Sequence, residues 1–157
     1  MPSHWLTALW LSGGLALAQA TAASAAPVTY PSGSWITKNS ETVISVAQCG
    51  TDLCGRISGM VLDHPNDPPP LDWRGKPQCG DIIFQVAPET ADDGTVKWNG
   101  TVSDPRDGAV YQATVTFDAQ GNLHMRGFVG LAIFGETQIW RPYSAQTPRD
   151  CLIRRTS

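Results

Sequence analysis

The sequence predicts an all-β fold, and its organisation favours an eight-stranded antiparallel up-and-down barrel. Apolar and polar residues alternate with a period of two in short runs, most clearly in residues 96–103 and 111–117. Turn-forming residues separate the runs at short intervals, and no window after residue 26 has convincing helical periodicity. Because closure removes the exposed edges that an open sheet would leave, we expect the strands to form a closed barrel.

The eight predicted strands are short and rich in β-branched and aromatic residues. They cover residues 34–38, 42–48, 55–62, 81–87, 96–103, 111–117, 123–129 and 136–141. The turn between the fifth and sixth strands is the best defined: Asp104 can cap it, Pro105 fixes φ at its first corner, and Gly108 supplies a positive φ at its exit. Residues 63–77 hold five prolines, which deny the backbone a hydrogen-bonded ladder, so we expect a long loop there.

The first 25 residues have the layout of a secretory signal peptide. An apolar run from Trp5 to Ala18 is followed by small residues that end in Ala23-Ser24-Ala25. We predict cleavage after Ala25, with cleavage after Ala20 as the alternative. The run is shorter than the roughly 20 apolar residues of a membrane-spanning helix, so we expect no membrane span after processing. The predicted organisation is a signal peptide over 1–25, a barrel domain over 26–143 and a tail over 144–157, in a protein that is periplasmic or secreted.

Charge and residue spacing exclude several functional classes. The formal net charge is −3 and the 11 Lys and Arg residues are scattered, which disfavours nucleic-acid binding and cationic binding to membrane surfaces. Asp63, His64 and Asp67 form a polar cluster that solvated loop residues explain better than a metal site does. No Ser, Cys or Lys has a base at recognisable spacing. We therefore expect neither an enzyme nor a bound metal or cofactor.

The four cysteines allow three disulfide connectivities, which an oxidising compartment would permit. Cys49 and Cys54 lie between two strand-like runs, and the four residues between them would bring facing positions to the spacing that a disulfide prefers. We favour a Cys49–Cys54 bond, which leaves Cys79–Cys151 to tie down the tail. Zinc binding is the rival interpretation, but the spacings lack a CxxC pair.

Aromatic and cationic residues give the best indication of binding. Several aromatic residues occupy strand positions that can point inward, and an eight-stranded barrel is either filled by side chains or holds one small ligand. These are Trp35, Trp98, Tyr111, Phe117 and Trp140. Arg56 and Arg126 lie on strands as well. An arginine that points into the barrel would need an acidic partner or an anionic ligand, so both are candidate ligand contacts.

Two sets of motifs carry a resemblance to known families. Gly33-Ser34-Trp35 in the first strand, with Arg141 in the last, is similar to the Gly-x-Trp and late Arg pairing of calycins, the superfamily of lipocalins and fatty-acid-binding proteins. Over residues 33–141 the chain also resembles the exported bacterial domain-of-unknown-function family numbered 2147. The motifs are Cys49-Gly50, Leu53 to Ile57, Arg74 to Gly80, Trp98-Asn99-Gly100, Asp104 to Gly108, Tyr111, Arg126 to Gly130 and Gln138-Ile139-Trp140.

The resemblance implies a calycin-like barrel in the periplasm, with no established activity. Closure of such a barrel requires the first strand to pair with the eighth, which would bring Trp35 beside Arg141. We expect the guanidinium to lie over the indole and to plug one end of the barrel.

Three functional classes follow. The first is a carrier or sensor of a small lipophilic or anionic ligand. The second is a filled barrel that acts as a structural or interaction module of the envelope, with the 63–77 loop contacting a partner protein. The third, which the sequence favours least, is an enzyme. An internal cavity above roughly 300 Å³ would favour the ligand-binding class over the filled module.

Overall fold

A computed structural model describes residues 27–155, so the predicted signal peptide and its cleavage site lie outside the described residues. The described chain consists of β-strands joined by turns and loops, with one short 3₁₀ helix, Ala132–Phe134. The strands are β1 Gly33–Ile36, β2 Thr42–Cys49, β3 Asp52–Leu62, β4 Ile82–Thr90, β5 Val96–Ser103, β6 Val110–Phe117, β7 Leu123–Phe128, β8 Glu136–Pro142 and β9 Leu152–Arg154. No helix in this part of the chain is long and apolar enough to cross a bilayer.

The first eight strands form a closed antiparallel barrel, which confirms the predicted fold class. Each strand from β1 to β8 pairs with the next one along the chain. Closure comes from β1, which also pairs with β8 and sets Trp35 opposite Pro142 and Ile36 opposite Arg141. The barrel is therefore closed, because its first and last strands are hydrogen-bonded to each other.

β3 is the longest strand, and it changes partner along its length. Its first part pairs with β4, from Leu53 to Arg56, and its last three residues pair in parallel with β9. The ninth strand was not predicted, because three residues in a tail are too short for a periodicity to show.

Both predicted disulfides are present. Cys49 is bonded to Cys54 across the β2–β3 turn, with a Cα–Cα distance of 5.8 Å. Cys79 is bonded to Cys151 with a Cα–Cα distance of 6.1 Å, and it fixes the tail beside β3 just before β9 begins. The preferred connectivity is thus confirmed, and the zinc interpretation is wrong.

Large apolar side chains fill one end of the barrel, called here the closed end, where the β2–β3, β4–β5 and β6–β7 turns lie. The Trp35 ring packs on Phe117 with a centroid distance of 5.4 Å, and its indole N–H donates to the Gly121 carbonyl at 2.8 Å. Tyr30, from the segment before β1, packs on buried Trp98 at 5.1 Å. These aromatic contacts seal the closed end.

Candidate ligand-binding cavity

A cavity of about 690 Å³ opens at the opposite end of the barrel, called here the open end. The β1–β2 loop, the long β3–β4 connection, the β5–β6 turn and the start of β8 surround it. Its deeper part is apolar and consists of Ile44, Ile57, Met60, Ile83, Met125 and Trp140. The two methionines are flexible and polarisable, so this surface can adapt to ligands of different shape.

β8 supplies one wall of the cavity. Because alternate residues of a strand face the same side, Glu136, Gln138 and Trp140 all point inward. The Trp140 indole N–H donates to Gln138 Oε1 at 3.1 Å, and this bond satisfies the indole beside the cavity. The wall thus changes from carboxylate at the opening to aromatic ring at depth.

β7 lies beside this wall and presents a glycine to the cavity. Gly127 pairs with Glu136, and a Cβ built on it would meet only Val102 Cγ1, at 3.7 Å. A contact at that distance is an ordinary one, so the space in front of Gly127 belongs to the cavity.

The opening carries more negative than positive charge. Its acidic residues are Glu41, Asp63, Asp104 and Glu136, and its basic residue is Arg106. Arg106 forms an ion pair with Asp104, because its Nη2 lies 2.6 Å from Asp104 Oδ2 and its Nε donates to Asp104 Oδ1 at 3.0 Å. These hydrogen bonds lower the pKa of Asp104. The three other carboxylates therefore dominate the field at the opening.

The structure divides the predicted aromatic contacts between the two ends. Trp140 and Tyr111 line the cavity, and Tyr111 is 40% exposed at its opening. Trp35, Trp98 and Phe117 pack at the closed end instead. Only the first pair is placed to contact a ligand in the cavity.

Arg56 and Arg126 point away from the interior, so the predicted contacts between these arginines and a ligand in the barrel are corrected. Arg56 Nη1 donates to the Gly80 carbonyl on the outer surface. Arg126 Nε donates to the Ala132 carbonyl and its Nη1 to Thr137 Oγ1, both at 2.7 Å. The reason is alternation, since the neighbours Ile57 and Met125 take the inward positions.

Arg141 does not lie over Trp35, although β1 and β8 pair as closure requires. Arg141 is opposite Ile36, on the outer face, whereas Trp35 faces inward. The Arg141 guanidinium approaches Ser40 Oγ, at 3.5 Å. The predicted stacking is therefore wrong, and the Trp35 ring meets Phe117 instead.

The long loop is folded back around one buried carboxylate. Asp72 Oδ1 accepts the backbone N–H groups of Arg74, at 2.9 Å, and of Lys76, at 2.8 Å, while Oδ2 accepts Arg74 Nε at 2.8 Å. Desolvation acts to raise the pKa of Asp72, but these hydrogen bonds outweigh it and lower that pKa. The loop then contacts the β5–β6 turn, where the backbone N–H of Trp73 donates to the Pro105 carbonyl at 2.9 Å.

Sequence reasoning missed the acidic opening, although one signal for it was present. Trp140 was placed inward, and alternation along β8 from that residue also places Gln138 and Glu136 inward. Glu41 and Asp63 lie in the loops that follow β1 and β3, and no periodicity predicts where a loop side chain points. Within residues 27–155, no three His, Cys, Asp or Glu side chains come together as a metal site would require.

The comparisons with known proteins show a family but no relative of known activity. Searches of the curated proteins and of the solved structures each gave no significant match. A family model, described as "Uncharacterized protein conserved in bacteria (DUF2147)", matches residues 33–141, which span the barrel except for the last residue of β8. The chain therefore belongs to this bacterial family.

Proposed function

We propose that this protein is exported and binds a small lipophilic molecule in the cavity at the open end of a calycin-like barrel. One observation carries the proposal: the cavity of about 690 Å³ has an apolar interior and a polar opening. Ligand sites in proteins begin at about 300 Å³ and combine apolar walls with a few polar groups. A barrel packed solid, as a purely structural module would be, has no such space.

The charges at the opening indicate which end of a ligand lies there. A carboxylate or phosphate would meet Glu41, Asp63 and Glu136, and the two arginines proposed to receive it point outward. Like charges at close range disfavour binding. The ligand is thus a lipophilic molecule with a neutral or cationic polar end, and the anionic alternative is not supported.

Export is supported by the cysteines and by the N-terminal sequence. Both disulfides belong to the barrel or its tail, and disulfides persist in oxidising compartments such as the bacterial periplasm. Residues 1–25 have the layout of a signal peptide. A contact between the 63–77 loop and an envelope protein stays a prediction.

The experiment that tests the proposal fills the cavity from within. Gly127→Phe places an aromatic ring in the cavity, and we expect it to weaken binding of the neutral fluorescent probe N-phenyl-1-naphthylamine at least about tenfold, because the ring occupies the apolar site. Thr101→Phe is the matched control, since Thr101 is exposed on the outer face of β5, which is separated from β7 by β6. Equal probe affinity for both variants and the wild type would show that the cavity is not the binding site.

A second titration tests the charge of the ligand. Dodecylammonium, dodecanol and dodecanoate share one alkyl chain, and each is used to displace the probe below its micellar concentration. We expect dodecanoate to compete worst, and Glu136→Gln to narrow the difference between the anion and the cation. Preferential displacement by dodecanoate would contradict the assigned ligand charge.

A further inference from the structure

The β7–β8 loop, residues 129–135, exposes an unusual amount of apolar surface. Val129, Leu131, Ile133 and Phe134 are between 65% and 78% exposed, and the seven residues of the loop include no charged or polar side chain. Contiguous exposed apolar surface of this kind marks an interaction site more often than an ordinary surface.

The loop leans away from the cavity and so does not act as its cover. Arg126, on the outer face of β7, donates its Nε–H to the Ala132 carbonyl at 2.7 Å and holds the loop outward. The cavity lining includes Gly127 and Glu136 on either side of the loop but no residue of the loop itself. The four apolar side chains therefore project into the surroundings beside the opening.

We propose that this loop inserts into the surface of a lipid bilayer and holds the open end of the barrel against the membrane. The four side chains project outward, so they can enter a bilayer, whose acyl chains adapt to their shape, without a groove of matching shape. Part of its backbone is already satisfied inside the loop, since the Phe134 N–H donates to the Leu131 carbonyl at 3.1 Å and the Gly135 N–H to the Ala132 carbonyl at 3.0 Å. Internal bonds of this kind reduce the penalty for placing backbone in hydrocarbon.

Arg126 supplies charge complementarity at the base of the loop. Its two hydrogen-bond partners, the Ala132 carbonyl and the Thr137 hydroxyl, are neutral, so neither partner offsets the charge of the guanidinium. An arginine set just behind an apolar tip lies at the depth of the lipid phosphates when the tip is buried. In the described part of the chain no carboxylate forms an ion pair with it.

The ring order of the strands keeps two carboxylates of the opening, Glu41 and Asp63, in water, whereas the third, Glu136, lies at the end of the β7–β8 loop. β7 and β3 are four positions apart in a ring of eight, so they lie on opposite sides of the barrel. Asp63 follows β3, and Glu41 precedes β2, which is next to β3. Insertion through the β7–β8 loop tilts these carboxylates away from the lipid surface and brings the cavity opening beside it.

Vesicle flotation tests the docking. The purified protein is mixed with vesicles of dioleoylphosphatidylcholine, and we expect the wild type to float with them. Leu131→Ser with Phe134→Ser should lower the partition coefficient at least about tenfold, because two large apolar side chains no longer enter the bilayer. Ile139→Ser is the matched control, since Ile139 is 48% exposed on the outer face of β8, away from the loop, and we expect a change of less than about twofold.

A second set of variants tests the role of Arg126. On vesicles that contain phosphatidylglycerol, Arg126→Gln should lower binding about fivefold, and Arg126→Lys should restore most of it because the charge returns. If Lys fails to restore binding, the charge has no role and the phosphate contact is overturned. Urea melts of each variant show whether the barrel is still folded.

Other outcomes overturn the proposal in distinguishable ways. Failure of the wild type to float, or equal losses for the loop variant and Ile139→Ser, would rule out docking through the loop. Dimers in sedimentation velocity that dissociate in the loop variant, without flotation, would assign the loop to a second copy of the chain. Gly127→Phe should weaken probe binding at least about tenfold and leave flotation unchanged, so a failure of the cavity proposal and a failure of the docking proposal can be told apart.

Discussion

The two ends of the barrel are built from the same eight strands, yet one is sealed and the other is hollow. At the closed end, Trp35 and Trp98 are buried against Phe117 and Tyr30. At the open end, the corresponding inward positions hold Gly127, Gln138 and Glu136, which leave a cavity. The size and polarity of a few inward residues thus divide the molecule into a part that stabilises the fold and a part that is free to bind.

The largest expected effect comes from removing an aromatic ring at the closed end. Trp35→Ala should lower the free energy of unfolding by about 3–5 kcal/mol, because it creates a cavity and leaves the Gly121 carbonyl without the indole donor. Tyr111→Ala, at the open end, should lower it by less than about 1 kcal/mol, since Tyr111 is already partly in solvent. Urea melts measure both values, and similar losses would remove the distinction between the ends.

The second prediction concerns how the open end is held in shape. Gly108 in the β5–β6 turn has a φ of 77°, and a Cβ there would lie 2.9 Å from the Trp73 indole. Gly108→Ala should destabilise the fold by about 2 kcal/mol, whereas Gly94→Ala should lower stability by only about 1 kcal/mol. Gly94 is the matched control because its φ is 82° and nothing lies within 4 Å of the added carbon.

The contact with Trp73 can be tested separately from the backbone strain. When Trp73 is replaced by Ala, the clash with the added Cβ is removed. Gly108→Ala and Gly94→Ala should then lower the free energy of unfolding by the same amount in denaturant melts. An unchanged difference of about 1 kcal/mol would show that the loop does not support the turn.

The third prediction compares two pairs that include Trp35. Trp35→Leu and Phe117→Leu should be coupled by about 0.5 kcal/mol or more, because the two rings are in contact. Trp35→Leu and Arg141→Lys should be additive, because Arg141 lies on the outer face. A double-mutant cycle in urea measures each coupling. The opposite ranking would restore the stacked pair that the sequence suggested.

The smallest effect concerns pH and the turn carboxylates at the two ends. Asp118, in the β6–β7 turn, accepts His124 Nε2 at 2.9 Å and Asn122 Nδ2 at 2.8 Å, and these bonds hold the pKa of Asp118 well below its ordinary value. A lowered pKa in the folded state stabilises the protein above the unfolded pKa of about 3.9, and this contribution is lost as pH falls below about 4. We therefore expect Asp118→Asn to flatten the decline in thermal stability below pH 4.

Asp104→Asn gives the matching measurement at the open end. Hydrogen bonds from Arg106 also lower the pKa of Asp104, but Asp118 accepts more donors, from Gln120 as well as from Asn122 and His124. The flattening should be smaller for Asp104→Asn than for Asp118→Asn. A parallel acid decline in the wild type and Asp118→Asn would mean that the closed-end turn contributes nothing to acid sensitivity.

Local patterns in the sequence predicted most of the fold. Alternation located the eight strands, the short Cys49–Cys54 spacing indicated the first disulfide, and elimination gave the second. Each of these features depends on residues that are close in sequence or on cysteines that have few possible partners. The sequence did not predict β9, because its pairing with β3 is parallel and only three residues long.

The site was harder to predict, for a physical reason. Whether an arginine on a strand points inward depends on which of the two alternating sets of side chains faces the core. Leu123 and Met125 are buried, so the residues that alternate with them, including Arg126, face outward. The sequence alone does not show which set is buried. The size of the cavity depends on the difference between the volume enclosed by the eight strands and the volume of the side chains that point inward. No local pattern reports that difference, and a single inward glycine such as Gly127 changes it.

The pairing of β9 with the end of β3 has a consequence for how this protein avoids self-association. β4 leaves β3 at Arg56, so the backbone from Met60 to Leu62 would present free N–H and C=O groups to any other extended chain. Exposed strand edges are where sheets of neighbouring molecules join and aggregates begin. The C-terminal segment occupies that edge and the Cys79–Cys151 bond keeps it in place, so we expect reduction of this crosslink to uncover the edge and to promote aggregation.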